Sequence, residues 1–169
     1  MTATHQFDAI LPAPFSLLGV SIAHEHLRRL EFLPLDFISP SSESHSGLIR
    51  QIAEQIAAYL DDPSQRFTLP IEPLGSPFRL RVWEALQGIP AGQVVTYGEL
   101  ARRLGSSARA VGQALGDNPL PIIIPCHRVV AANGGLGGFN HSETGYSIDI
   151  KRWLLNHEAG ARASRPQSA

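Results

Sequence analysis

The sequence predicts a mixed α/β protein of two lobes, a small first lobe of strands and one helix and a mostly helical second lobe. Three observations predict it. Residues 15–23 and 27–33 are apolar stretches joined by a short polar turn, the pattern of a hairpin. Pro63, Pro70 and Pro73 punctuate residues 61–75 and make that stretch an extended linker. Beyond it, short segments of helical periodicity open at Ser or Thr and close at Gly, as helices do. The expected lobes are 1–70 and 76–160, with a flexible tail at 161–169. A chain of 169 residues, 43% hydrophobic and 17% charged, suits one compact domain or two small lobes sharing a core.

In the first lobe the hairpin is followed by a polar loop at 40–47 and a helix over 48–60. Leu48, Ile49, Ile52, Ile56, Tyr59 and Leu60 recur at helical spacing and form one stripe, and Asp61, Asp62 and Pro63 stop it. His24 and His26 flank Glu25 and read as a solvated hairpin tip. His5 and His45 lie in polar surroundings and carry no assigned role.

The second lobe opens with Ser76 as N-cap and Pro77 at the first helical position, then Phe78, Val82, Leu86 and Ile89 at helical spacing, with Gly88 marking the end. Thr96 followed by Glu99 is a capping box for a helix closed by Gly105. Ser106 or Ser107 caps a further short helix that ends at Gly116. Two short helices joined by a glycine-containing turn make a helix-turn-helix candidate. The second of them carries Ala108, Ala110, Gly112 and Ala114, with only Arg109 and Gln113 long enough to reach base edges. Such a face permits either close approach to a nucleic-acid backbone or close packing against another helix. A last helix spans about 147–158.

A net charge of −1 excludes a protein held to DNA by overall charge, yet residues 78–128 contain six arginines against three acids. No segment is apolar enough to cross a bilayer and no signal-like segment is visible, so the expected compartment is the cytosol. One cysteine excludes an internal disulfide and a multi-cysteine zinc site.

That cysteine, Cys126, is either a buried small hydrophobe or a nucleophile. It follows Ile122, Ile123 and Ile124, which read as a buried strand, and Pro125, which forces a bend or an edge. The thiol therefore emerges where a buried segment turns. His127 adjoins it and can take its proton directly or through one water. Neighbours on a regular strand face opposite ways, so the water relay is the expected route. Glu158, near the end of the last helix, is the acidic candidate to orient the imidazole.

Pro125, Cys126, His127, Arg128 and Val129 resemble the active-site motif of the O6-alkylguanine-DNA alkyltransferases. Phe78, Val82 and Trp83 also resemble the family in order and spacing. So do Ile89, Pro90, Ala91, Gly92, Gln93 and Val94; Thr96 and Tyr97; Ala108 through Gly112; Asn118 and Pro119; and the run from Lys151 to Glu158. The strong match covers about half the chain, and residues 14–32 with the following helix are only loosely similar. The resemblance implies a ribonuclease H-like first lobe and a winged helix-turn-helix-like second lobe. It implies that Cys126 accepts the alkyl group once and keeps it as a thioether, with His127 as base through water and Glu158 holding the histidine. Tyr97 would assist departure of the guanine and crowd a phosphate so that the nucleotide rotates out. Arg109 would fill the vacated stack, and Asn118 would brace the recognition helix against the active segment. Ala108, Ala110, Gly112 and Gln113 would meet the minor groove, and Arg128 would be supporting structure or a phosphate contact. Pro125, Val129, Phe139 and Asn140 would line the alkyl pocket. The implied partner is double-stranded DNA carrying O6-alkylguanine, with no cofactor, no metal and no membrane, and a monomer is expected.

The sequence departs from the family between Gly137 and Tyr146. This stretch is about five residues longer than the family's, and the glycine pair that family members usually carry after the aromatic and small residues, shortly before the last helix, is missing. Three other readings remain at this point: a recognition-only binder of alkylated guanine, a cysteine hydrolase, and a winged-helix regulator.

Overall fold

The computed structural model of the protein describes residues 7–38, 46–139, 141 and 146–164. The chain divides into two compact units, Met1–Leu74 and Gly75–Ala169.

The first unit holds a three-stranded antiparallel sheet in the order β1 (Ala9–Pro12), β2 (Leu17–Ala23), β3 (His26–Leu33). The expected hairpin is β2 and β3. Its tip is His24 and Glu25, both with positive φ (51° and 62°), as a two-residue turn matched to the strand twist requires. The strand β1 had no counterpart in the sequence reading; it is four residues long and ends in a proline. The helix α1 (Gly47–Asp61) starts at Ser46, whose side chain accepts from the Ile49 N–H, and it buries Ile49, Ile52, Ile56 and Tyr59. The proline-rich stretch is extended as expected, but it is not a free linker. The Leu27 N–H donates to the Pro70 carbonyl at 2.8 Å and the Glu72 N–H to the Leu27 carbonyl at 3.0 Å, so Ile71 runs parallel beside β3. Of the expected loop at 40–47, residues 40–45, His45 among them, lie outside the described residues, as does His5, while Ser46 and Gly47 begin α1.

The second unit is built on α2 (Pro77–Gln87), α3 (Tyr97–Leu104), α4 (Ala108–Gly116) and α5 (Tyr146–Ser164). Residues 161–164 of the expected tail are thus helical. Val82, Trp83 and Leu86 of α2 are buried with Val111, Ala114 and Leu115 of α4, and the Trp83 indole N–H donates to the Ala114 carbonyl at 2.8 Å. Helix α3 ends at Gly105 in the left-handed conformation, and Ser107 caps α4 through the Ala110 N–H. The two helices are therefore joined by a three-residue turn, residues 105–107. Two short strands, β4 (Val95–Thr96) and β5 (Val129–Val130), pair in parallel and join the start of α3 to the segment that follows Cys126.

The junction of β4 and α3 depends on the capping box. Thr96 Oγ1 accepts from the Glu99 N–H at 3.1 Å, and Glu99 Oε2 accepts from the Thr96 N–H at 2.9 Å. Thr96→Ala removes one of these bonds and frees the other partner. The expected loss is about 1 kcal/mol of unfolding free energy, read by urea denaturation.

The isoleucine run corrects the strand expected there. It is buried, with Ile122 2% and Ile124 0% exposed, but it forms turns and not a strand. The Ile124 N–H donates to the Leu120 carbonyl at 2.8 Å, and Ile122 has a φ of 75°. Burial on all sides produces the apolar run equally well in a strand or in a packed turn, so periodicity cannot separate them. A β-branched residue with positive φ costs about 1–3 kcal/mol and persists only where surrounding packing imposes it.

Candidate active site

Pro125 supplies the expected bend. It sits at φ −80° and ψ 68°, and the Cys126 N–H donates back to the Ile124 carbonyl at 2.8 Å, which closes an inverse γ-turn. Cys126, His127 and Arg128 then form one 3-10 turn leading into β5. Asn118 braces this segment from within. Its Nδ2 donates to the Ile124 carbonyl at 2.8 Å, and its Oδ1 accepts from the Leu120 N–H at 2.9 Å.

Cys126 is 4% exposed, yet it lines a cavity of about 420 Å³ together with Tyr97, Arg109 and Phe139. Burial pushes the thiol up to about 11. The Asn118 amide, the charge of Lys151 and the backbone N–H groups of Cys126 and His127 act against that rise. The resting group is thus a protonated thiol in a setting already arranged for its anion.

His127 is fully buried. Its Nε2 lies 2.6 Å from Glu158 Oε1, and its Nδ1 has no hydrogen-bond partner. Burial lowers the imidazole below its ordinary value of 6.5, with Arg128 and Lys151 adding to that and Glu158 opposing it. A neutral ring that donates from Nε2 to a carboxylate leaves the Nδ1 lone pair as the basic site. For Glu158, burial alone would raise the carboxyl. Hydrogen bonds and charge from His127 and Arg128 overcome it and hold the group well below the usual carboxylate range.

Arg128 fastens Glu158 from the other side. Its Nε donates to Oε2 and its Nη2 to Oε1, both at 2.9 Å, and its Nη1 donates to the Ile89 carbonyl. Between the two readings of Arg128, this placement suits supporting structure: the guanidinium is spent on a bidentate pair inside the protein.

Lys151, to which the sequence reading gave no role, stands close to the Cys126 thiol, whose anion its charge favours. It is 0% exposed, and its Nζ donates to the carbonyls of Val129 at 2.7 Å and Gly138 at 2.9 Å. The ammonium lies 5.8 Å from the centroid of the Tyr97 ring, and burial lowers it to about 8. The Tyr97 hydroxyl also donates to the Gly138 carbonyl, at 3.3 Å. Gly137, at φ 71°, lies so close to the Tyr97 ring that a side chain there would overlap it. Lys151 and Tyr97 together therefore hold the backbone of residues 137–138 beside Cys126. A signal for Lys151 was present: with Ile148, Leu154 and Glu158 it falls on the buried face of α5.

Ala108, Arg109 and Gln113, exposed on α4, also line the cavity with Gly112, which is half-buried like Ala110. A Cβ on Gly112 would meet nothing within 4 Å, so packing within the protein does not explain its small size. Pro125 and Val129, expected in the pocket, do not line this cavity. Pro125 is spent on the γ-turn and Val129, 0% exposed, on β5. Asn140 lies outside the described residues. Among the described residues, no group of three potential His, Cys, Asp or Glu ligands could hold a metal, and no helix is long and apolar enough to cross a membrane.

Comparison with known proteins agrees with the resemblance read from the sequence. A family model described as the 6-O-methylguanine DNA methyltransferase DNA binding domain matches residues 77–160. A methylated-DNA--protein-cysteine methyltransferase of Methanosarcina acetivorans is 41% identical over 157 residues, covering 90% of this chain and 97% of that protein. A DNA base-flipping protein of Thermus thermophilus is 38% identical, covering 88% of this chain and 97% of that one. Among solved structures, Mycobacterium tuberculosis OGT in complex with DNA superposes with a TM-score of 0.73 at 34% identity, over 90% of this chain and 92% of that chain.

Proposed function

The chain belongs to the 6-O-methylguanine DNA methyltransferase family, and on that premise we propose that it repairs DNA by taking the alkyl group of O6-alkylguanine onto Cys126, once per molecule. The observation that carries the reading is the placement of the sole thiol in a cavity, beside a neutral buried imidazole whose other nitrogen is fixed by Glu158.

The chemistry is a displacement at carbon. Cys126 Sγ forms a bond to the alkyl carbon, the bond from that carbon to O6 breaks, and its electron pair passes to the guanine. The thiol proton travels through one water to His127 Nδ1, and Glu158 stabilises the imidazolium that results. The backbone N–H groups of Cys126 and His127, Asn118 and the Lys151 ammonium favour the transient thiolate. The Tyr97 hydroxyl, turning from the Gly138 carbonyl, donates to the departing base at N3. The product is a thioether, which has no leaving group at neutral pH, so the protein is consumed.

The base must leave the stack. The O6 of a paired guanine faces the major groove, whereas the small exposed face of α4 fits close approach through the minor groove. Rotation out costs a few kcal/mol, and less for a poorly paired alkylated base. Ala108, Gly112 and Gln113 meet the groove, Arg109 fills the vacated place, and Tyr97 crowds the adjacent phosphate. The reading includes a monomer that works in the cytosol on double-stranded DNA. It takes the first unit as a ribonuclease H-like lobe and the second as a winged helix-turn-helix.

The test is stoichiometry. A tenfold excess of duplex containing one O6-methylguanine is expected to yield restored guanine equal to the protein added, with no later increase. Continued release over time would contradict suicide transfer and favour a hydrolase.

A further inference from the structure

His141 belongs to the stretch in which this chain departs from its relatives' pattern, and none of the roles above uses it. Its ring is placed by two independent contacts. Nε2 lies 2.8 Å from Asp117 Oδ1, and the other oxygen of that carboxylate is taken by Arg79 of α2. The imidazole also rests directly on Gly116, the last residue of α4, so closely that a methyl group there would overlap the ring. The bare glycine is thus a seat and Asp117 a tether. The seated ring lines the same cavity as Cys126, Tyr97 and Phe139.

Resting on the alkyl-transfer reading, we propose that His141 is a specificity-determining residue: seated on Gly116 and tied to Asp117, it forms a fixed wall of the cavity and limits the size of the alkyl group accepted. The physical basis is steric. A side chain held from two directions cannot swing aside without losing both a hydrogen bond and its packing, so a longer alkyl chain meets the ring as an obstacle. A methyl group is too short to need that space.

Two variants remove the wall by different routes. His141→Ala deletes the ring. Gly116→Ala leaves the imidazole in the chain but forces it off its seat, and alanine at a helical position adds no backbone strain. Single-turnover rates are compared on duplexes carrying O6-methylguanine or O6-butylguanine. The intrinsic difference in reactivity between the two groups cancels when variants are compared with the unmodified protein. The butyl-to-methyl rate ratio is expected to rise about tenfold in both variants, the scale on which a pocket discriminates small apolar groups. An unchanged ratio in either variant, or equal loss on both duplexes, overturns the role of His141 and leaves alkyl transfer standing. Failure of the unmodified protein to transfer either group overturns both readings together.

Discussion

Glu158→Ala is expected to lower stability by about 3–5 kcal/mol and to slow alkyl transfer about 100-fold or more. The carboxylate is 1% exposed and accepts hydrogen bonds from His127 and from Nε and Nη2 of Arg128. Its removal leaves a guanidinium inside the protein without its counter-charge, and that uncompensated charge is the source of the stability loss. The imidazole loses the group that fixes its tautomer, so Nδ1 no longer stays the basic nitrogen, which is the source of the rate loss. Urea denaturation and single-turnover kinetics separate the two, and a loss below about 1 kcal/mol would contradict the placement of Glu158. The pH dependence has a defined sign. The folded carboxyl lies below its ordinary value of 4.5, so its contribution is complete above that value and is lost as pH falls beneath it. The unmodified protein should therefore lose in acid a stability increment that Glu158→Ala lacks.

Lys151→Met is expected to slow transfer about 10- to 100-fold while changing stability far less. The ammonium holds two carbonyls, those of Val129 and Gly138, and its charge favours the Cys126 anion. Two effects on stability oppose one another. The substitution gives up both hydrogen bonds, but it also relieves the burial of a charge. With the folded amine near 8 and its ordinary value at 10.5, the unfolded chain holds the proton more tightly. The resulting penalty on the folded state is complete below about pH 8 and is relieved as pH rises toward 10.5. Methionine avoids it. The Cys126 thiol, already near 11, should rise further in the variant. A titration of thiol reactivity with a small alkylating reagent therefore checks the electrostatic role independently of DNA. Unaltered thiol reactivity together with an unaltered transfer rate would contradict it.

Which parts of this site were legible in the sequence follows from physical causes. Helix starts were legible because Ser76, Thr96 and the Ser106–Ser107 pair satisfy orphan N–H groups locally, and local bonds need no knowledge of the fold. The bend at Pro125 was legible for the same reason, since proline restricts its own backbone. The isoleucine run was misread because burial, and not strand pairing, produced its composition. The strand β1 was missed because four residues ending in Pro12 carry no alternation long enough to read. Glu158 was legible as the acid on the last helix and through its family motif, although that helix runs on to Ser164 and so places the residue within it, not at its end. Lys151 stands in that same motif but received no role, because its partners are backbone carbonyls of Val129 and Gly138, which leave no mark in sequence. Arg128 offered two readings, and only the position of Glu158, thirty residues away in the chain, distinguishes them.

The most direct test of the central claim is the intact mass of the protein after mixing with a duplex that carries one O6-methylguanine, with Cys126→Ala measured alongside. The account predicts a gain of one methyl group, saturating at one per molecule, located on the peptide containing Cys126 and absent from the variant. Tight binding to the damaged duplex with no change in mass would contradict it, and would make this chain a protein that recognises the lesion without removing it.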